Sequence, residues 1–276
     1  MLTLLRIARL AVLLVWTIVL LPFQVLAVVT GAEAMRRIPQ LFHRGVARVL
    51  GIAVESHGMP VTERPVLFIA NHSSWLDIVV LSTLAPVSFV AKSEIAGWPG
   101  ISVLAKLQRS IFIERKRGQK TREGLNGITE RLRAGDNIVL FAEGTAADGN
   151  TILPFKSALL SAAETDVNGR QAWVQPVAVA YTHLDGFPLG RRARHRMTWY
   201  GKMPLGPHLW SVFGNGHSRV VVQFLPPVHA NDFPSRKELT AYCQAQITSS
   251  HNRAITGRMD SNTTAVAAAD AEPSRT

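Results

Sequence analysis

The 276-residue chain has a single cysteine, Cys243, which excludes an intrachain disulfide framework and any paired-cysteine metal site. Such usage suits a folded part facing a reducing compartment, and Cys243 itself reads as a small hydrophobe on a late helix. The nine histidines form no H-E-x-x-H or comparable ligand set, so neither a metal nor any other cofactor is expected. The Gly214-Asn215-Gly216 turn lacks the third glycine and the strand-to-helix setting of a dinucleotide site. No G-x-S-x-G elbow is present, which argues against a serine nucleophile. Basic residues are scattered and no RNP-type sequence or Cys/His finger occurs, so nucleic acid is not an expected partner. There is no internal repeat, and no linker rich in proline, glycine and serine divides Val61 to Ile255, which favours a single domain there.

Acidic residues are also few, 19 against 30 Lys and Arg, giving a formal charge of +11. Such a surface implies an acidic partner, with anionic lipid, acyl carrier protein and nucleic acid as the candidates that charge alone allows. The 47% hydrophobic content supplies ample core material. Leu10 to Ala32 carries no charge and, as a helix, is about long enough for a bilayer core of roughly 30 Å. Arg6 and Arg9 precede it and Arg36, Arg37, Arg44 and Arg48 follow. The positive-inside rule then puts the body of the protein on the cytoplasmic side of the inner (cytoplasmic) membrane. Pro22 and Gln24 weaken the case for a straight span, so an in-plane or re-entrant anchor is the other reading. The stretch Arg36 to Val49, with Ile38, Leu41, Phe42, Val46 and Leu50 at spacings of three and four, reads as a basic amphipathic helix on the membrane surface.

Short β-type runs follow at Val66 to Ala70, Val87 to Ala91, Ile111 to Glu114, Ile138 to Ala142, Val174 to Tyr181, Met197 to Tyr200 and Val220 to Leu225. Helical patterns interleave with them. Trp75 to Leu84 is stopped by Pro86, and Leu125, Ile128 and Leu132 mark a face that ends at Gly135. Ser235 and Glu238 open a final helix through about Ile255 as a capping box. This alternation predicts an α/β fold with a mixed, largely buried sheet flanked by helices. The expected organisation is an anchor and interfacial helix over 1–50, one domain over 51–256, and a disordered tail over 257–276.

The turn Asn71-His72-Ser73-Ser74-Trp75-Leu76-Asp77 follows the first apolar strand. A histidine beside a carboxylate makes a general base able to deprotonate a hydroxyl near neutral pH. Residues five apart on one continuous helix lie roughly 140° round from each other, so His72 should precede a helix that contains Asp77. Ser74 with Asp77 is equally a helix-start pattern, and alone the two readings stand level.

Three further segments put polar groups at strand ends, where α/β folds assemble their pockets. Ser110 to Arg115 delivers an arginine fork suited to phosphate or carboxylate, although Arg115 also belongs to the basic run Arg115-Lys116-Arg117. Phe141-Ala142-Glu143-Gly144-Thr145 combines an acceptor with a glycine permitting close backbone approach. Val174 to Val179 carries Pro176, which suggests a strand edge or kink. Lys92, ending Val87 to Ala91, is a weaker candidate of the same kind.

Taken in order, Asn71 to Asp77, Ser110 to Arg115, Phe141 to Thr145 and Gln175-Pro176-Val177 resemble the four motifs of the lysophosphatidate and glycerol-phosphate acyltransferase family. The resemblance spans roughly Val66 to Ala180 and implies a glycerolipid-acyltransferase domain. It implies His72 as general base, Asp77 as the group that orients it, and Arg115, Glu143, Gly144 and Thr145 as acceptor-binding residues; Lys92 stands beside them as a substrate-binding candidate from its strand-end position alone. It also implies membrane lipid as partner and an acyl thioester of acyl carrier protein or coenzyme A as co-substrate. Without a serine elbow, the acyl group should pass directly to the hydroxyl, and amides at the helix start after Ser74 are candidate oxyanion donors.

Phosphate-binding relatives commonly have proline where this chain has Ala142 and a basic residue where it has Ala146. Glu143 to Asn150 with Leu153 to Leu159, and Lys92-Ser93-Glu94 with Gly97-Trp98-Pro99, look more like the branch that acylates lyso-ornithine lipid. Lyso-ornithine lipid is therefore the expected acceptor and lysophosphatidate the other. A non-catalytic membrane adaptor built on Arg191, Arg192, Arg194 and Arg196 would explain the charge but not the four ordered motifs.

Overall fold

Short runs rich in valine, isoleucine and phenylalanine, separated by helical stretches, form a mixed sheet whose central strands are buried on both faces. The structure is a computed structural model and describes residues 2–63, 65–114, 119–167, 169–258 and 265–266. The strands are β1 (Ile52–His57), β2 (Val66–Ala70), β3 (Ser88–Lys92), β4 (Ile111–Ile113) and β5 (Ile138–Phe141), followed by a small hairpin of β6 (Asp166–Val167) and β7 (Arg170–Gln171). After it come β8 (Trp173–Leu184), β9 (Phe187–Pro188), β10 (Ser218–Phe224) and β11 (Ala265–Val266). The helices are α1 (Leu2–Thr30), α2 (Ala34–Leu50), α3 (Leu76–Leu84), α4 (Ile101–Leu107), α5 (Gln119–Arg133), α6 (Leu205–Val212) and α7 (Arg236–Ile255).

Across the sheet the order is β11, β1, β10, β8, β2, β5, β3, β4, with β9 paired to β8. Strands β8, β2, β5, β3 and β4 run parallel to one another. Ala70 lies opposite both Phe141 and Val177, so the segments after β2 and β5 leave the sheet side by side. Alternate residues of β2 serve different cores: Val66, Phe68 and Ala70 pack with Val79 and Val139, and Leu67 and Ile69 with Ile128, Leu132 and Ile247.

α1 has two unlike sides. Leu4, Leu14, Val15, Ile18, Phe23 and Val29 are exposed, and the helix is long and apolar enough to cross a membrane. The other side docks on the domain at three levels. The Arg9 guanidinium donates to the carbonyls of Phe213 (3.0 Å) and Asn215 (2.6 Å), and Trp16 Nε1 to that of Phe42 (3.2 Å). Gln24 Nε2 donates to Met35 O (3.0 Å) and Leu107 O (2.6 Å). Arg9 and Gln24 are about 22 Å apart along the axis, so the helix lies along the domain rather than projecting from it.

Several expectations change. α2 does not lie with its apolar side on a membrane; it packs against α1 and α3, with Val46, Ala47 and Leu50 buried in the core. The segment Met197 to Tyr200 is irregular, because Met197 and Thr198 N–H turn back to Arg194 O and Trp199 N–H reaches across to Ser73 O. Pro176 sits in a central strand, one residue beyond the last β8–β10 pair, Val177 with Phe224. β1, which the sequence reading does not anticipate, pairs in parallel with β10. Ala265 and Val266, within the tail expected to be disordered, pair with β1, and the rest of the tail beyond Arg258 lies outside the described residues. The Ser235 cap of α7 is present, its side chain accepting from Glu238 N–H.

Candidate active site

β2 ends at Ala70 and α3 begins at Leu76, which leaves His72 on a tight strand-to-helix turn. Asn71 pins that turn to β8: Nδ2 donates to Val179 O at 2.9 Å and Oδ1 accepts from Val179 N–H at 2.8 Å. Asp77, in the first turn of α3, is fully buried. Its Oδ2 accepts from His72 Nδ1 (2.9 Å), Ser73 N–H (2.7 Å) and Ser74 N–H (3.0 Å), and its Oδ1 from the Tyr181 hydroxyl (2.6 Å). One carboxylate thus ties down the two residues before the helix and orients the imidazole.

With Nδ1 committed to Asp77, Nε2 is the nitrogen left to take a proton. The His72 side chain keeps 17% exposure against 1% for Asp77, so a substrate reaches the ring and not the carboxylate. Phe141 stacks on the ring with centroids 4.0 Å apart and planes at 17°, which restrains its rotation. Burial, reinforced by the Asp77 charge, pushes the Tyr181 phenol well above its ordinary range, keeping it a donor.

Glu143 follows β5 on the same edge, but its carboxylate faces the scaffold. Oε1 accepts from His72 N–H and Oε2 from Leu153 N–H, both at 2.7 Å, and the residue is 2% exposed. Burial pushes its carboxyl up to about 7 against the pull of those two amides. Ala147 N–H donates to His72 O at 2.8 Å, so the loop is tied to the histidine backbone at both ends. The sequence reading assigns Glu143 to acceptor binding; the geometry makes it a positioning residue instead.

An apolar cavity of about 650 Å³ opens beside His72. Leu13, Leu20 and Leu21 of α1, Phe42 of α2, and Ile78 and Trp98 form much of its wall, and His72, Lys92, Gly144 and Thr145 also line it. The structure therefore turns His72, with Asp77 behind it, and Lys92, Gly144 and Thr145 toward one cavity, because parallel strands end at one edge. Arg115 lies outside the described residues; β4, which precedes it, ends at Ile113 opposite Lys92.

Of the amides expected as oxyanion donors, those of Leu76 and Asp77 already bond Ser74 Oγ and Ser74 O. Gln175 is buried scaffold, joining Met59, Val61 and Leu225. Arg194 is buried and donates to Leu189 O at 2.7 Å, which removes it from any polybasic surface. Cys243 is buried and its thiol is pushed up to about 12, as suits a packing residue. Sequence reasoning missed Tyr181, whose one signal is a hydroxyl at the end of an otherwise apolar run, and the α1 wall of the cavity.

Residues 33–180 match the family described as Acyltransferase. The lyso-ornithine lipid O-acyltransferase of Brucella abortus (strain 2308) is 42% identical over 242 residues, covering 87% of this chain and 91% of that protein. That of Rhizobium meliloti (strain 1021) is 40% identical over 239 residues, covering 85% and 82%. The 1-acyl-sn-glycerol-3-phosphate acyltransferase of Neisseria meningitidis serogroup B is 32% identical over 198 residues, covering 71% and 73%. The crystal structure of the 1-acyl-sn-glycerophosphate (LPA) acyltransferase from Thermotoga maritima shares the fold, with a TM-score of 0.63 at 20% identity over 93% of this chain and 99% of that one. With the matched family spanning more than half of its length and the relatives most of it, this chain belongs to the Acyltransferase family and is an acyltransferase.

Proposed function

We propose that the enzyme moves a fatty acyl chain from the thioester of acyl carrier protein or coenzyme A to the hydroxyl of lyso-ornithine lipid, with His72 as general base. The observation that carries this is the His72–Asp77 pair, 2.9 Å apart, opening into an apolar cavity large enough for an acyl chain. His72 Nε2 takes the proton of the lipid hydroxyl as its oxygen attacks the thioester carbonyl carbon. The tetrahedral intermediate collapses with cleavage of the C–S bond, and the imidazolium returns the proton to the leaving thiolate, giving ester and free thiol. Asp77 holds the ring and stabilises its charged form during the exchange. The relatives that are 42% and 40% identical favour the ornithine headgroup, and the +11 charge suits an acidic donor.

The protein works at a membrane, and α1 is its anchor. Docked along its length, the helix would rest in the plane of the cytoplasmic leaflet of the inner membrane with Leu14 and Ile18 in the acyl region. The α1 wall of the cavity would then let a single-chain lipid enter sideways from the leaflet.

Purified enzyme assayed with lyso-ornithine lipid and lysophosphatidate in parallel, with each donor, tests this reading. Wild type should acylate lyso-ornithine lipid at the higher kcat/KM, and His72→Ala should lose about 10²- to 10⁴-fold. Acylation of lysophosphatidate alone would overturn the acceptor assignment, and a fully active His72→Ala enzyme would overturn the mechanism.

A further inference from the structure

The loop that crosses the catalytic histidine offers no cation of its own, since Gly144, Thr145 and Ala146 line the cavity. Phosphate or carboxylate recognition there would need a positive charge from elsewhere. The structure brings one from ten residues downstream of Ala146. Leu153 N–H bonds Glu143 Oε2 at 2.7 Å, Phe155 N–H bonds Gln244 Oε1 at 3.0 Å, and Lys156 N–H bonds Ala142 O at 2.9 Å. These bonds fix the backbone of Lys156 alongside the loop. Its side chain then lies over Gly144: a Cβ placed on that glycine would meet Lys156 Nζ at 3.0 Å and Cδ at 3.3 Å. Gly144 has φ +70, a left-handed backbone that disfavours any side chain at this position and leaves the space beside it to the lysine.

Lys156 is exposed, and among the described residues no carboxylate pairs with its ammonium. We propose that Lys156 is the headgroup anchor of the acceptor, its ammonium binding an anionic oxygen of the lipid while the hydroxyl reaches His72. This assignment rests on the acyl-acceptor reading above. An ammonium is a point charge that suits a carboxylate or a phosphate equally, so both candidate headgroups share the chemistry. Lys156 does from beside the loop what a basic side chain at position 146 would do from within it. The alanine at 146 therefore carries less weight against a phosphate than the sequence alone suggests.

The test compares wild type, Lys156→Gln, Lys156→Arg and the double variant Lys156→Gln/Ala146→Arg, each with lyso-ornithine lipid and with lysophosphatidate. Lys156→Gln should raise KM for the acceptor about tenfold with kcat within about twofold, and Lys156→Arg should keep most of the affinity. Arginine at 146 should restore KM in the Lys156→Gln background, which no purely structural role for the lysine would allow. The acceptor with the larger rise in KM identifies whether carboxylate or phosphate is bound. An unchanged KM, or a loss that neither arginine repairs, would overturn the proposal. Equilibrium binding of the same two lipids separates it from the functional reading. If wild type acylates neither lipid, weaker binding by Lys156→Gln than by wild type would keep the anion site and reject the acceptor assignment.

Discussion

Glu143 holds His72 by the backbone and leaves its ring alone. Its Oε1 accepts the His72 N–H at 2.7 Å, while the ring answers to Asp77 on one side and stacks on Phe141 on another. The backbone position of His72 and the orientation of its ring are thus set by different residues, Glu143 for the first and Asp77 of α3 with Phe141 of β5 for the second, and each can be perturbed separately.

Glu143→Gln keeps the size of the side chain but turns an amide donor toward one of two N–H groups. The loop and His72 should shift apart, lowering kcat by about 10- to 100-fold with KM little changed, since misplacement of order 1 Å costs about that much. Stability should respond to pH. The carboxyl is raised by burial from 4.5 to about 7, so in that window the folded state holds a proton the unfolded chain has released. Its contribution is fully present below pH 4.5 and lost as pH rises through about 7. Thermal melts from pH 4 to 8 should show this fall in wild type and a flatter profile in Glu143→Gln; parallel profiles would contradict the assignment.

His72→Ala and Asp77→Ala should part company in stability. The His72 ring sits at the cavity edge, and its removal should leave Tm within a few degrees of wild type. Removing the Asp77 carboxylate strands the buried donors of Ser73, Ser74 and Tyr181, each costing about 1–3 kcal/mol. Both variants should be nearly inactive, but only Asp77→Ala should melt markedly earlier, as followed by circular dichroism. Equal melting temperatures would mean that the carboxylate does not hold the turn together.

Single cysteines at Leu4 and Val29, both exposed on α1, test how the anchor sits. Cys243 is buried and should stay silent toward a maleimide. A helix docked in the plane should be labelled at both positions from the same side of sealed vesicles by an impermeant reagent. A spanning helix would be labelled at one end only from that side. Leu14→Glu, on the exposed side, should reduce sedimentation with vesicles while leaving the thermal melt unchanged.

Local pattern was enough for much of this molecule. The apolar run Val66 to Ala70 followed by a histidine and, five residues later, an aspartate specifies a strand, a turn and a helix, because hydrophobic period and helix geometry are properties of neighbouring residues. The same holds for the Ser235 cap and for the apolar character of α1. Tertiary structure alone decided which of those groups face the cavity and which face the scaffold. Glu143 turns from the cavity to the scaffold and Lys156, given no role by its sequence, comes to lie beside Gly144, since burial and hydrogen-bond partners depend on what packs opposite. Arg9 and Gln24 read as a topogenic charge and an imperfection in an apolar segment, yet both are docking contacts to residues more than 80 positions away. Such contacts arise from chain reversal over the whole sheet, and no local spacing records them.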